Sequence, residues 1–153
     1  VFRYSDVMLM RAEALIELDR LPEALNIIND IRHRASLSID KHISYAKDQC
    51  EIALYPEGYF TTKEIARKCL RWERRLEMAM ENGRFFDLRR WGIASKTLNA
   101  YFQSEQNDVY EGQAYGQYYK DAHFTAGKNE FFPIPYNQLY YIPGLYTQNK
   151  GYE

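Results

Sequence analysis

Apolar residues recur at helical spacing through the first hundred positions of this 153-residue chain, and they predict four helices. From about Arg3 to Leu18, Tyr4, Met8, Ala12 and Leu15 share one face, widened by Val7, Ala14 and Leu18. Asp19-Arg20-Leu21-Pro22 interrupts the pattern, and Pro22 suits the first turn of a second helix. There Ala24, Ile27, Ile28, Ile31 and Ala35 form a stripe opposite Asn26, Asp30 and Arg34. So short a connection predicts an antiparallel hairpin over residues 1–35. A polar stretch runs from Ser36 to about Tyr59, with a short helix expected from Ser44 to Leu54 before Tyr55-Pro56-Glu57-Gly58. Thr62 is an N-cap for the third helix, whose expected core stripe is Ile65, Cys69, Trp72, Leu76 and Met80. Asn82-Gly83 supplies a left-handed stop. The fourth helix is expected from Arg84 to Phe102, with Leu88, Trp91, Ser95, Leu98 and Phe102 on one side. A glycine inside it, Gly92, costs about 1 kcal/mol against Ala and suggests close packing there.

Beyond Gln103 the periodicity stops. In Phe131-Phe132-Pro133-Ile134-Pro135 each proline removes a donor and restricts its predecessor, so the segment runs extended. Ile142-Pro143-Gly144 and Asn149-Lys150-Gly151 are turn signals. The expected fold is therefore all-α in one domain, residues 1–153. It comprises the hairpin, a helical pair over 62–102, and an irregular aromatic segment over 103–153 that wraps the helices. Composition agrees with that division. Residues 1–100 hold 17 of the 20 Lys and Arg, and the last 53 residues hold 14 of the 24 aromatics.

With a net charge of −1, wholesale binding to nucleic acid or an anionic membrane is disfavoured. The longest apolar runs, such as Val7 to Met10, are too short to span a bilayer. Cys50 and Cys69 make neither a disulfide framework nor a metal-ligand spacing. A chain that starts at Val1, without initiator Met or signal peptide, reads as a piece of a longer protein.

Three constellations bear on function. Asp19 to Leu25 joins its helices in the manner of a tetratricopeptide repeat, with Ala12 and Ala24 where small residues let helices approach; a single such unit is present. The block from residue 73 to 92 interleaves both signs of charge with Trp91 and paired phenylalanines. Glu77 follows Arg74 by three and Asp87 precedes Arg90 by three, spacings that favour ionised, paired carboxylates. A general acid needs a raised pKa, which neighbouring arginines oppose. Glu73, Arg74, Arg75, Glu77, Asp87, Arg89 and Arg90 are therefore read as a structural ion-pair block, with no catalytic residue among them. Acids alternating with Arg71, Arg74, Arg75, Arg84, Arg89 and Arg90 argue against nucleic acid. His33, His42 and His123 are scattered, so no metal site, triad or cofactor is expected, and no glycine loop cradles phosphate. The third constellation is Tyr110, Tyr115, Tyr118, Tyr119 and Phe124 among Gly, Gln, Asn and Asp. Such rings can stack on sugar faces while amides take hydroxyls, which makes these five the candidate ligand residues.

The order of motifs resembles the C-terminal half of the SusD/RagB family of outer-membrane nutrient-binding lipoproteins. Arg3-Tyr4-Ser5-Asp6-Val7-Met8-Leu9-Met10-Arg11-Ala12-Glu13-Ala14-Leu15 carries the likeness, with Glu23-Ala24-Leu25 and Ile28-Asn29-Asp30-Ile31-Arg32. So do Glu73-Arg74-Arg75-Leu76-Glu77 with Arg84-Phe85-Phe86-Asp87-Leu88-Arg89-Arg90-Trp91-Gly92, and Phe132-Pro133-Ile134-Pro135 with Pro143-Gly144-Leu145 and Gln148-Asn149-Lys150-Gly151-Tyr152. The resemblance implies a helical, tetratricopeptide-like fold and a non-enzymatic role. It implies binding of oligosaccharide or another nutrient at the cell surface, delivery to a TonB-dependent (SusC-like) outer-membrane transporter, and an N-terminal lipid anchor upstream of this chain. Ligand residues vary within the family, so none transfers by motif. The alternative is a tetratricopeptide-type protein-interaction scaffold without a glycan site. A glycoside hydrolase would need two carboxylates about 5–10 Å apart in a groove, and the arginine-rich surroundings of the best carboxylates oppose it.

Overall fold

The structure, a computed structural model, describes the backbone of residues 3–42, 51–106, 109–110 and 113–153, and their side chains apart from 39–42, 109, 110 and 113–115. The fold is all-α. Its helices are α1 (Tyr4–Glu17), α2 (Leu21–His42), α3 (Lys63–Glu77), α4 (Arg84–Arg90), α5 (Ala94–Glu105) and α6 (Tyr136–Tyr141). The only strands among the described residues are β1 (Val109–Tyr110) and β2 (Gln113–Ala114), a two-residue antiparallel ladder. A 3-10 turn follows at Tyr115–Tyr119. Two compact units divide the chain, residues 1–82 and 83–153.

In the first unit, α1 ends at a residue that was only a breaker in the sequence. Asp19 adopts φ +64°. Its N–H donates to the Ile16 carbonyl, and the Arg20 N–H donates to the Leu15 carbonyl. This is the paired bonding of a Schellman stop, and it reverses the chain into α2 within three residues. Leu9, Ala12, Leu15 and Ile16 of α1 pack against Ala24, Leu25, Ile28 and Ile31 of α2, and Phe60 with Ala66, Cys69 and Leu70 of α3 complete the core. Truncating Leu9 or Leu70 to Ala would cost roughly 2–5 kcal/mol, the usual range for such sites.

Two faces differ from expectation. On α1 the stripe is rotated: Tyr4, Val7 and Leu18 are exposed, while Leu9 and Ile16 are buried along with Ser5 and Asp6. Apolar residues surround most of that helix, so hydropathy alone leaves its inner face open. On α3 the difference is larger. The buried residues are Ala66, Cys69, Leu70, Glu73 and Arg74, whereas Ile65, Trp72, Leu76 and Met80 of the expected stripe face solvent. Of the stripe, only Cys69 is buried.

Paired charges account for the inversion. Arg74 Nη1 donates to Asp6 Oδ1 at 2.9 Å with both side chains buried. Arg32 Nη1 donates to Glu73 Oε1. Glu77 Oε1 accepts from Arg3 Nη1 at 2.8 Å and from Arg34 Nη2 at 2.6 Å. Removing one member of a buried pair leaves the other desolvated and uncompensated, so these bonds hold α3 in its rotation against α1 and α2. Thr62 starts the helix as expected, its hydroxyl accepting from the Ile65 N–H at 3.3 Å.

The second unit has its own small core of Leu88, Ala94 and Phe124, with Phe85, Ile93, Leu98 and Phe102 against it. The single helix expected from Arg84 to Phe102 is instead two. Gly92 adopts φ +67° with nothing near the place of a Cβ. Its N–H bonds the Arg89 carbonyl, and the Ile93 N–H bonds the Leu88 carbonyl. Gly92 therefore ends α4 in a second Schellman stop, and close packing has no part in it. At the preceding boundary the left-handed residues are Met80 and Asn82, while Gly83 is not left-handed.

In the C-terminal segment, Phe131 to Pro135 is not helical, and the two expected turns form at Ile142–Leu145 and Asn149–Tyr152. Gln148 clamps Ile134, accepting from its N–H at 2.8 Å and donating to its carbonyl at 3.0 Å. The short helix α6, with no buried side chain, was not expected. The expected Ser44–Leu54 helix falls largely outside the described residues, and residues 51–54 are not helical.

Candidate functional site

The inversion of α3 puts an aromatic groove on the surface of the first unit. Ile65, Lys68 and Trp72 follow one another along its outward side, with the buried Cys69 between them. With Tyr55 and Tyr59 from the preceding loop they line a depression of about 500 Å³, within the size range of small-molecule sites. Trp72, half exposed, also borders a second depression of about 380 Å³. That neighbour is walled by Arg32, Glu51, Glu73, Leu76 and Glu77, among others. One indole thus stands as a ridge between two hollows.

The tyrosines hold a fixed arrangement. Tyr55 and Tyr59 stack with ring centroids 5.1 Å apart and planes 25° apart, across a turn closed by the Tyr59 N–H on the Pro56 carbonyl. Gly58 at φ +74° completes that turn. Helix α2 sets where the pair sits. The Asn29 amide donates to the Tyr55 carbonyl and accepts from the Tyr55 N–H, both at 2.9 Å. Arg32 donates to the Ala53 carbonyl at 2.7 Å, and its guanidinium lies 4.7 Å from the Tyr55 ring centroid. The same guanidinium is the one paired with Glu73. Phe60 plugs the end of the loop into the core. A ligand would meet rings already in place, which lowers the ordering cost of binding.

Burial pushes the Tyr55 phenol well above its ordinary value and also raises the Cys69 thiol, so both stay protonated at neutral pH. The groove floor is neutral, and no activated nucleophile lies in it. Lys68 lines the groove as well. The Arg75 guanidinium stands 5.4 Å from the Trp72 ring.

The block from residue 73 to 92 is distributed over both units. Glu73, Arg74 and Glu77 make the pairs given above. In the second unit Arg90 Nε donates to Asp87 Oδ1 at 2.9 Å, and Arg89 lies 5.6 Å from both the Phe85 and Phe131 rings. Among the described residues no group of three or more His, Cys, Asp or Glu is placed to hold a metal.

The five candidate ligand residues have different surroundings. Phe124 is 5% exposed within the core of the second unit, its N–H and carbonyl both held by Asn99. Tyr119 stacks on Phe102 and meets Tyr101 edge-on. Tyr118 is largely exposed. Tyr110 ends β1 and Tyr115 opens the 3-10 turn; their side chains lie outside the described ones. Sequence reasoning missed Tyr55, Tyr59 and Trp72. The signal available was the tryptophan set between Arg71 and Arg75, a polar setting for a core residue.

The sequence model of the SusD family matches residues 1–152, and the chain belongs to that family. No curated protein matches the chain. The family is one of non-catalytic, nutrient-binding proteins associated with the outer membrane and with SusC-like transporters. Among the described residues no helix is long and apolar enough to cross a membrane.

Proposed function

We propose that this SusD-family chain contributes a saccharide-binding surface to a nutrient-uptake protein, and that the surface is the groove along α3. One observation carries the reading: Ile65, Trp72 and Leu76 of α3 face outward beside a stacked tyrosine pair, while Glu73 and Arg74 of the same helix are turned inward. Sugar rings offer flat C–H faces that stack on such side chains, and the surrounding polar groups can take the hydroxyls. The ligand would be an oligosaccharide, passed to a TonB-dependent transporter by a protein anchored at the cell surface through lipid. Of the five residues first considered, Tyr118, exposed in the second unit, is a second candidate contact, and Phe124, in the core of that unit, is not.

Affinity-gel electrophoresis of the intact protein through a panel of soluble polysaccharides tests this. Trp72→Ala is expected to abolish retardation by any polysaccharide that slows the wild type. Retardation unchanged in that variant removes the groove from the reading, and no retardation by any glycan removes the saccharide. The second reading, a protein-interaction scaffold, draws on the aliphatic Ile65 and Leu76 exposed on either side of Trp72. It predicts that no glycan retards the intact protein and that the same variant loses a protein partner.

A further inference from the structure

The charge around the groove is lopsided. Helix α3 carries Lys63, Arg67, Lys68, Arg71, Arg74 and Arg75 against Glu64, Glu73 and Glu77. Several of these cations are already engaged. Arg67 holds the Glu17 carboxylate through two bonds, 2.8 and 2.6 Å. Lys63 donates to the Glu17 carbonyl at 2.9 Å, and Arg74 is paired with Asp6. Lys68 is different: it makes no ion pair among the described residues, and it lines the groove directly. It is also the only charged side chain among the residues lining that hollow, where Tyr55, Tyr59, Ile65, Cys69 and Trp72 supply no carboxylate. Glu64, one turn before Lys68 on α3, makes no ion pair with it among the described residues, and the other nearby acids lie beyond Trp72. Of these Glu73 and Glu77 are held by Arg32, Arg3 and Arg34, and Glu51 is exposed in the second hollow.

From this we infer that the groove takes an anionic saccharide, one whose carboxylate or sulfate ester is bound by Lys68 while its ring stacks on Trp72. The inference rests on the saccharide reading above. A neutral sugar needs only stacking and amides, and from an ammonium its hydroxyls gain one hydrogen bond without a charge–charge attraction. An anion gains a charge-assisted bond at that point, and Arg75 across the indole adds to the same local potential.

The test uses matched pairs of probes and the intact protein. De-esterified pectin is compared with highly methyl-esterified pectin, and dextran sulfate with dextran, by affinity electrophoresis and calorimetry at low and high salt. Within each pair the backbone is shared and the charge differs, and the two pairs separate carboxylate from sulfate. Binding of at least one anionic polymer over its neutral match is expected, weakening as salt rises. Lys68→Gln is expected to weaken that binding about tenfold, the worth of one hydrogen bond to a charged group. Because Lys68 is exposed, the substitution leaves the fold intact.

Equal binding of charged and neutral partners, binding of neither anionic polymer, or an unaltered Lys68→Gln variant overturns the inference. The saccharide reading is judged separately. It survives if a neutral glycan binds and Trp72→Ala removes that binding, and it fails if Trp72→Ala changes nothing.

Discussion

Asn29 offers the sharpest link between the scaffold and the groove. Its side chain makes the two 2.9 Å bonds that fasten the Tyr55 backbone to α2. Asn29→Ala removes both and leaves a partly buried N–H and carbonyl without them. At about 1 kcal/mol net for each bond, the loop loses about 2 kcal/mol of local stability. A factor of ten corresponds to about 1.4 kcal/mol, so the Tyr55 amide should exchange with solvent about thirtyfold faster if it exchanges by local opening. Amides in the middle of α1 and α2, far from the loop, should be little changed. Asn29→Asp keeps the acceptor for the Tyr55 N–H and loses the donor to its carbonyl, so it should fall between wild type and alanine. Hydrogen exchange read by NMR, alongside glycan affinity of the same variants, is the assay. Wild-type Tyr55 exchange in Asn29→Ala refutes the clamp. Faster exchange with wild-type affinity would show that the tyrosine platform is not what the ligand meets.

Other outcomes follow from single contacts. Arg74→Met should destabilise the chain by about 3–5 kcal/mol in urea unfolding by stranding Asp6, and the added Asp6→Leu should recover most of that, as expected for a buried pair replaced by apolar groups. Gly116→Ala should cost about 1–3 kcal/mol as overpacking, because a Cβ there would stand 2.0 Å from the Gln106 carbonyl oxygen; a thermal midpoint equal to wild type would contradict the close approach. The Arg67 guanidinium holds the Glu17 carboxyl below its ordinary 4.5. A depressed carboxylate pKa contributes stability that is present above 4.5 and is lost as pH falls through the lower, folded value. In an NMR titration Arg67→Gln should therefore bring the Glu17 midpoint back up, and the acid limb of the stability curve should flatten.

Much of the fold was legible because it is local. The α1–α2 hairpin follows from two stripes and a breaker, and the start of α3 follows from Thr62. What was not legible depends on residues distant in sequence. The stripe Ile65, Cys69, Trp72, Leu76 is the most apolar side of α3 taken alone. The partners that turn it outward, Asp6 and Arg32, lie 68 and 41 residues away from Arg74 and Glu73. The break at Gly92 was hidden because Leu88, Trp91, Ser95 and Leu98 keep helical spacing across it. Helix α6 was hidden because it buries no side chain and so has no stripe. Spacing gave the Asp87–Arg90 pair, but Arg74, three residues before Glu77, pairs with Asp6, and Glu77 pairs with Arg3 and Arg34, partners that spacing cannot show. For the same reason the aromatic groove was overlooked: reading Trp72 as core removed it from consideration as a ligand residue.

The inward charge of α3 has a bearing on how the chain comes off the ribosome. Its buried Arg74 and Glu73 pair with Asp6 of α1 and Arg32 of α2, which are synthesised first, so the hairpin is expected to be the template on which the later helix settles. Until then, and afterwards, its oily stripe is open to any neighbouring nascent chain. Lys68 and Arg75, four residues before and three after the tryptophan, are exposed charges of the kind that oppose self-association of an apolar stripe. Neutralising both would cost solubility during expression before it altered the finished molecule.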